Sequence, residues 1–214
     1  MYKRQELDWS ALSHVTSPVG QFIELGVDSR RGRSQAEVTA ELHDVIPRRR
    51  GQLDEVPAGV EVIGLMGSPV PVERLLRVRI FDIWTHEQDI RSAIGSDAGW
   101  NSDPAGISFV QILSALPFVW AKGAEAPSGA TLRLTVIGPA LHNEAYVVVD
   151  EAGRGRRTEP IEQPDVTLDL TWPAYLKLSC GRVAPDDPWA LDKYELGGDP
   201  DLGARLLANM AITP

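Results

Sequence analysis

The sequence contains one cysteine, Cys180, among 214 residues. A single cysteine cannot form an internal disulfide bond, and sparse cysteine is typical of proteins from a reducing compartment. Its place at the end of an apolar helix predicts a buried structural thiol. The chain also lacks an apolar run of roughly 20 residues, as a membrane-spanning helix needs, and a signal-peptide core at its start. These absences predict a soluble, cytoplasmic protein with no membrane partner.

Positive charge is also scarce. The 21 lysines and arginines are outnumbered by 30 aspartates and glutamates, which leaves a formal net charge of −9. An acidic chain on the whole repels a phosphate backbone, so nucleic acid is not expected as a partner. Hydrophobic residues make up 43% and charged residues 24% of the chain, as in ordinary globular proteins.

Residues 17 to 126 carry the start and stop signals of successive helices. Caps, prolines and glycines mark four helices, the last of which is long and apolar and is expected to bend near Pro117. The signals are Ser17 with Pro18 for the first helix, Ser34 with Glu37 for the second, Pro71 to Gly95 for the third, and Asp103 with Pro104 for the fourth. Pro47 is expected to kink or end the second helix.

The pattern changes after residue 126. Alternating apolar residues predict strands at 131–137, 144–150 and 166–170, with a further candidate in "ALDKYEL". Thr171 and Asp199 are placed to cap two later helices. The sequence therefore predicts a helical domain at residues 1–126 followed by a small α+β domain at residues 127–214.

The third predicted helix carries Asp82, His86 and Asp89 in a stretch rich in Ile, Phe and Trp, "RIFDIWTHEQDIRSAIG". Their spacing of i, i+4 and i+7 turns all three toward one face. An imidazole and a carboxylate one turn apart have the reach to hold a divalent transition ion such as zinc. An ordinary ion pair beside solvent, balanced by Arg79 and Arg91, is the alternative that spacing leaves open.

That stretch is similar to the signature helix of the mycothiol-dependent maleylpyruvate isomerase family, a branch of the DinB-like four-helix bundles. The segments "HVTSPVGQFIELGVDSRRG" and "ALPFVWAKGAEAPSG" resemble further parts of the bundle. The segments "VTLDL", "YLKLSCGR" and "LGGDPDLGARLLANM" resemble the family's sterol-carrier-like C-terminal domain. The implied fold is a DinB-like bundle followed by a sterol-carrier-like α+β domain.

The resemblance implies that Asp82 and His86 are metal ligands, with zinc as the expected ion. The metal would bind the thiol of mycothiol, and the thiolate would add to maleylpyruvate or be transferred to another small electrophile. The enzyme would be a mycothiol-dependent isomerase or thiol transferase. Arg182 matches a Gly-Arg pair of the family that can hold a substrate carboxylate, so it is the candidate catalytic residue. A plain surface arginine is the alternative at this position.

The family's third metal ligand is a histidine on an earlier helix, and no matching segment occurs here. Met1 to Gln5 fit no part of the family pattern, which leads us to expect an incomplete bundle that lacks its first helix or helices. His14 lies in the wrong segment to be that ligand, while His43 and His142 are expected on the surface.

Weak metal binding, loss of activity and self-association through an exposed apolar groove are expected of such a chain. The alternative function is a non-catalytic protein that binds a small lipid-like molecule. Metal content separates the two readings, because only the enzyme needs a divalent ion.

Overall fold

The computed structural model describes residues 8–13, 15, 18–64 and 67–213. It divides into two compact units, residues 1–75 and 76–214. The predicted boundary near residue 126 falls inside the second unit, because apolar residues on both sides of it belong to one hydrophobic core. Helix α3 (Val72–Ala93) begins in the first unit and continues in the second, and Gly95 follows it with a φ of +71°.

The first unit contains helices α1 (Pro18–Asp28) and α2 (Gln35–Asp54) and a hairpin of β1 (Glu61–Ile63) and β2 (Pro69–Pro71). The capping box of Ser34 and Glu37 opens α2 as predicted. The predicted Ser17 cap, His14 and Met1 to Gln5 lie outside the described residues.

Helix α2 continues past Pro47, so the proline does not end it, and a kink at this residue stays a prediction. A proline within a helix removes one backbone hydrogen bond, and the remaining bonds of this 20-residue helix carry it on to Asp54. Beside the proline, the Arg48 guanidinium donates to the carbonyl oxygen of Asp44 at 3.1 Å. The β1–β2 hairpin was not predicted, because its strands have only three residues each and one of them begins and ends with proline.

A five-stranded sheet forms the second unit's centre, in the order β5-β4-β3-β6-β7. Strands β3 and β6 pair in parallel, with Leu132 opposite Val166, and the other neighbours are antiparallel. The strands are β3 (Thr131–Gly138), β4 (Leu141–Val149), β5 (Gly155–Thr158), β6 (Val166–Thr171) and β7 (Tyr194–Gly198). The strands predicted at 131–137, 144–150 and 166–170 are therefore confirmed. The element order confirms the expected fold class of helices followed by an α+β part.

Strand β5 was not predicted, because its sequence "GRRT" is charged and its residues are mostly exposed. It pairs with β4, with Arg157 opposite Val147. A Cβ atom at Gly155 would lie 1.9 Å from the carbonyl oxygen of Pro117. Only glycine therefore lets this edge strand pass so close to the backbone at Pro117.

Helix α4 (Asp103–Leu113) starts at the Ser102 cap, and the chain continues through a short helix α5 (Leu116–Phe118) and a π-helical turn, Val119–Gly123. The expected bend near Pro117 is thus an interruption between Leu113 and Leu116. Among the described residues, Asp103–Gly123 is the one segment long and apolar enough to cross a membrane by length and composition. The expectation that no run approaches 20 residues was therefore too strong, although half of the segment's apolar window is buried.

Helices α6 (Trp172–Ser179) and α7 (Pro200–Ala208) begin at the predicted caps, Thr171 and Asp199. Aromatic rings join α3, α4 and α6: Trp84 stacks on Trp172 with ring centroids 5.5 Å apart, and Phe109 meets Trp172 edge-on at the same distance. The second half of α3 is held against the rest of the unit by this cluster. The exposed side of α3 is left to carry the polar residues of the candidate site.

Candidate functional site

His86 lies between two carboxylates on helix α3. Its Nε2 atom is 3.7 Å from Oδ1 of Asp82, and its Nδ1 atom is 3.3 Å from Oδ2 of Asp89. The helix alone produces this arrangement, because residues three and four positions away lie one turn above and below. The three side chains are 45%, 63% and 39% exposed in chain order, so the face is open to a ligand from solvent.

Arg182 comes from the loop after α6 and binds Asp89. Its Nη2 atom is 3.0 Å from Oδ2 and its Nε atom 3.3 Å from Oδ1, while Nη1 donates to the carbonyl oxygen of Cys180 at 2.7 Å. Partial burial raises the pKa of the Asp89 carboxyl, but the hydrogen bonds and charges of Arg182 and His86 outweigh it and leave the pKa lowered. The hydrogen bond from Arg182 to Asp89 in turn raises the pKa of the guanidinium.

Arg182, Asp89 and His86 therefore form a continuous series of side-chain contacts from the loop after α6 to helix α3, where His86 also faces Asp82. The structure links Arg182 to His86 through Asp89, which contacts both of them. The carboxylate that Arg182 binds here is that of Asp89, which occupies two of its three guanidinium nitrogens. Sequence reasoning placed Asp89 on this face without giving it a role; an aspartate three residues after a candidate histidine ligand was the available signal.

Asp82 has a second partner, since Nη1 of Arg79 is 3.1 Å from its Oδ2 atom. Within the described residues no group of three or more His, Cys, Asp or Glu side chains is arranged to hold a metal ion. His43 on α2 and His142 on β4 are exposed, as expected of surface residues. His14 lies outside the described part of the chain.

A cavity of about 150 Å³ adjoins the site on the side of Asp89 and Arg182. Cys180 contributes to its wall but is only 2% exposed, and burial raises the pKa of its thiol to about 11. A thiol with so high a pKa is protonated at neutral pH and is a poor nucleophile. Cys180 is therefore a structural residue, as its sequence context predicted.

Residues 3–91 match the family model described as the mycothiol maleylpyruvate isomerase N-terminal domain. The match runs through α1 and α2 and almost to the end of α3, so it contains Asp82, His86 and Asp89. The resemblance inferred from the motif on α3 is thus confirmed, whereas Arg182 lies beyond the matched residues.

Several solved structures that are similar to this chain are sterol carrier proteins. Sterol carrier protein 2 like 2 from Aedes aegypti is 22% identical, with a TM-score of 0.38 over 48% of this chain and 96% of that chain. Sterol carrier protein 2 from Yarrowia lipolytica is 14% identical, with a TM-score of 0.35 over 50% of this chain and 91% of that chain. The comparison with curated proteins gave no match.

Proposed function

We propose that this chain serves mycothiol-dependent chemistry, in which Asp82 and His86 bind a divalent metal ion and a small electrophile receives the thiol. The observation that supports this is the position of the His86 ring between Asp82 and Asp89. Histidine ligands of metals commonly donate their second ring N–H to a carboxylate, which fixes the ring and makes the coordinating nitrogen more basic. Asp89 is in place for that role.

The donor pair suits one zinc ion. Zinc binds carboxylate oxygen and imidazole nitrogen at about 2.0–2.2 Å each, so two ligand atoms of one ion lie no more than about 4 Å apart. The 3.7 Å between Nε2 of His86 and Oδ1 of Asp82 is within that limit. Because two ligands are fewer than a zinc site normally has, we expect weak binding unless further ligands complete the set.

Each side chain of the site has a separate task in this proposal. When bound, the metal supplies the positive charge that stabilises the mycothiol thiolate at neutral pH. His86 and Asp82 are the two ligands, and Asp89 accepts a hydrogen bond from Nδ1 of His86 so that Nε2 turns toward Asp82. Arg182 holds Asp89 in place and is a positioning residue here, because its contact with the proposed ligands runs through that carboxylate.

A cobalt titration tests the proposal without an activity assay. Co²⁺ added to the metal-free chain should give visible absorption bands, and mycothiol added next should give a thiolate-to-cobalt charge-transfer band. Asp82→Ala and His86→Ala should abolish both signals, and Asp89→Asn should weaken cobalt binding by about 10- to 100-fold. His142→Ala removes an exposed histidine elsewhere and is the matched control. Equal binding by the His86→Ala and His142→Ala variants would contradict the proposal.

A second candidate is the binding of a small apolar molecule without catalysis. It is favoured by a groove of about 380 Å³ in the second unit, in which seven of the ten lining residues are aliphatic. The aliphatic residues of the groove are Leu178, Val183, Ala184, Pro185, Leu207, Ala208 and Ala211. The same cobalt titration separates the two functions, since a carrier of this kind needs no metal.

A further inference from the structure

Helix α2 exposes apolar side chains over its middle. None of its 20 residues is buried. Leu42, Val45 and Ile46 are between 41% and 56% exposed, and positions three and four residues apart lie on one face of a helix. An apolar helix face normally packs against another element. Within the described residues, no element covers this one.

The helix needs packing to be stable. Pro47 lies in its interior, where proline is the least favourable residue because it removes a backbone hydrogen bond. Helices in proteins owe most of their stability to an apolar face that packs on a neighbour. A partner on the exposed face of α2 would therefore add the packing that the helix lacks in a single chain.

The charges of α2 are divided between its two halves. Glu37, Glu41 and Asp44 lie before the proline, and three consecutive arginines, 48–50, lie directly after it, with Asp54 at the end of the helix. A second α2 helix running antiparallel would place its basic half beside the acidic half of the first, and its acidic half beside the basic one. A parallel helix would place like charges side by side, which opposes association. The charge order therefore fits a second copy of this chain in the antiparallel orientation.

The arginines after the proline are bound to neutral groups. Arg48 donates to the carbonyl oxygen of Asp44 at 3.1 Å, and Arg49 donates to the Oε1 atom of Gln52 at 3.4 Å. In the acidic half, Glu41 is already paired with arginines of the same unit, so Asp44 is a carboxylate that remains for a partner. The positive charge of one copy and the negative charge of the other are thus both available for pairing between copies.

We propose that α2 is a self-association surface, on which two copies of this chain pack their α2 helices antiparallel about a two-fold axis. Such an axis lets the same patch serve both copies, as in most homodimers. It passes near the exposed apolar residues 42–46, so the Leu42 and Val45 side chains of the two copies meet at the centre. The arginines of each copy then lie beside the acidic half of the other. The surface belongs to the first unit and involves neither the proposed metal pair nor the cavities of the second unit.

Sedimentation velocity of the full chain tests for the dimer. Two single helices bury little area, so we expect a weak dimer with a Kd on the order of 10 µM. Val45→Ser should weaken it by at least about tenfold, through the apolar area lost from both copies. Val110→Ser is the matched control, because Val110 is 50% exposed on α4 and takes no part in this surface. A chain that stays monomeric at about 200 µM, or equal dimerisation of the two variants, would overturn the proposal.

A charge-reversal variant tests the pairing of the two halves. Arg48→Glu with Arg49→Glu leaves both halves acidic, so the Kd should rise by at least about tenfold. Arg154→Glu with Arg157→Glu is the control, because it changes the net charge by the same amount at exposed residues of the second unit. Equal weakening by the two double variants would show general repulsion between acidic chains and would overturn the antiparallel pairing.

Single cysteines on α2 test the orientation. Cys180 is buried and burial raises the pKa of its thiol to about 11, so an added surface cysteine is the reactive one. Val45→Cys places the two thiols near the axis and should give a disulfide-linked dimer on mild oxidation. Gln52→Cys should not, because a rise of about 1.5 Å per residue places its thiols about 20 Å apart in antiparallel helices. Equal cross-linking at both positions, or none at position 45, would overturn the proposal.

Discussion

At the scale of single residues, Asp89 is the side chain that connects Arg182 with His86. Its two oxygens bind the guanidinium of Arg182 and meet the ring of His86, and each partner favours the ionised carboxylate. The Arg182–Asp89 contact joins the loop after α6 to helix α3. The carboxylate therefore has a part in stability as well as in the orientation of His86.

We expect the stabilising effect of Asp89 to depend on pH. Its pKa is lower in the folded than in the unfolded chain, so the contribution is complete above the unfolded pKa of about 4 and is lost as the pH falls through the folded pKa. Asp89→Asn should lower stability at neutral pH by up to about 1 kcal/mol, because the pair is partly exposed. The measurement is urea unfolding of both chains from pH 7 down to pH 3.

Arg182→Gln should reproduce this loss, and the pH dependence of the difference between wild type and variant should be the same. Arg79→Gln is the control, since that arginine also pairs with a carboxylate on α3 but stays within its own helix. A difference between wild type and Asp89→Asn that grows toward low pH would contradict the assigned direction of the pKa shift.

At the scale of elements, the aromatic cluster holds α3 against α4 and α6. Trp84 is 2% exposed and stacks on Trp172 with an angle of 9° between the rings. Trp84→Ala should lower the free energy of unfolding by about 3–5 kcal/mol, through lost burial and the cavity left behind. The neighbouring Ile83 is 61% exposed, so Ile83→Ala should change the free energy of unfolding by less than about 0.5 kcal/mol. Similar losses of unfolding free energy in both variants would show that the aromatic cluster does not hold α3 against α4 and α6.

The elements also show what the sequence could and could not predict. Helix α3 was predicted within two residues at each end, because Pro71, Gly95 and the apolar periodicity agree. Strand β5 was missed, because its charged residues fit an exposed turn as well as an edge strand. Hydrophobic periodicity is a property of one segment of the sequence, so it cannot predict that β5 pairs with β4.

The same limit applies to the candidate site. The pair of Asp82 and His86 could be predicted, since helical spacing alone brings the two side chains together. The contact between Asp89 and Arg182 spans 93 residues and depends on how the loop after α6 is placed.

At the scale of the whole molecule, the two units differ in how much they bury. The large cluster of buried apolar residues runs from Phe81 to Met210 and so lies in the second unit. In the described part of the first unit only Glu24 and Val72 are buried, while Phe22 and Leu42 are 74% and 56% exposed.

The metal proposal and self-association of the chain stay predictions.

We expect hydrogen exchange to follow this difference. Amide protons of α1 and α2 should exchange by local opening and so much faster than those of β3 and β6, which open only when the second unit unfolds. Deuterium uptake by peptides from the two units, followed by mass spectrometry, is the measurement. Protection of α2 equal to that of β3 would show that the first unit is as stable as the second.

The parallel pairing of β3 with β6 has a consequence for how the chain folds. Strands β3 and β4 are joined by a tight turn, so they can pair early in folding. Pairing of β3 with β6 brings Leu132 next to Val166, which lies 34 positions later, and so closes a much longer loop that contains β4 and β5. Closing the longer loop costs more conformational entropy, and this cost arises before the contacts between the two strands can offset it. The centre of the sheet is therefore completed late, and until then the chain exposes its most apolar strands, at the stage when a newly made chain is most prone to aggregate.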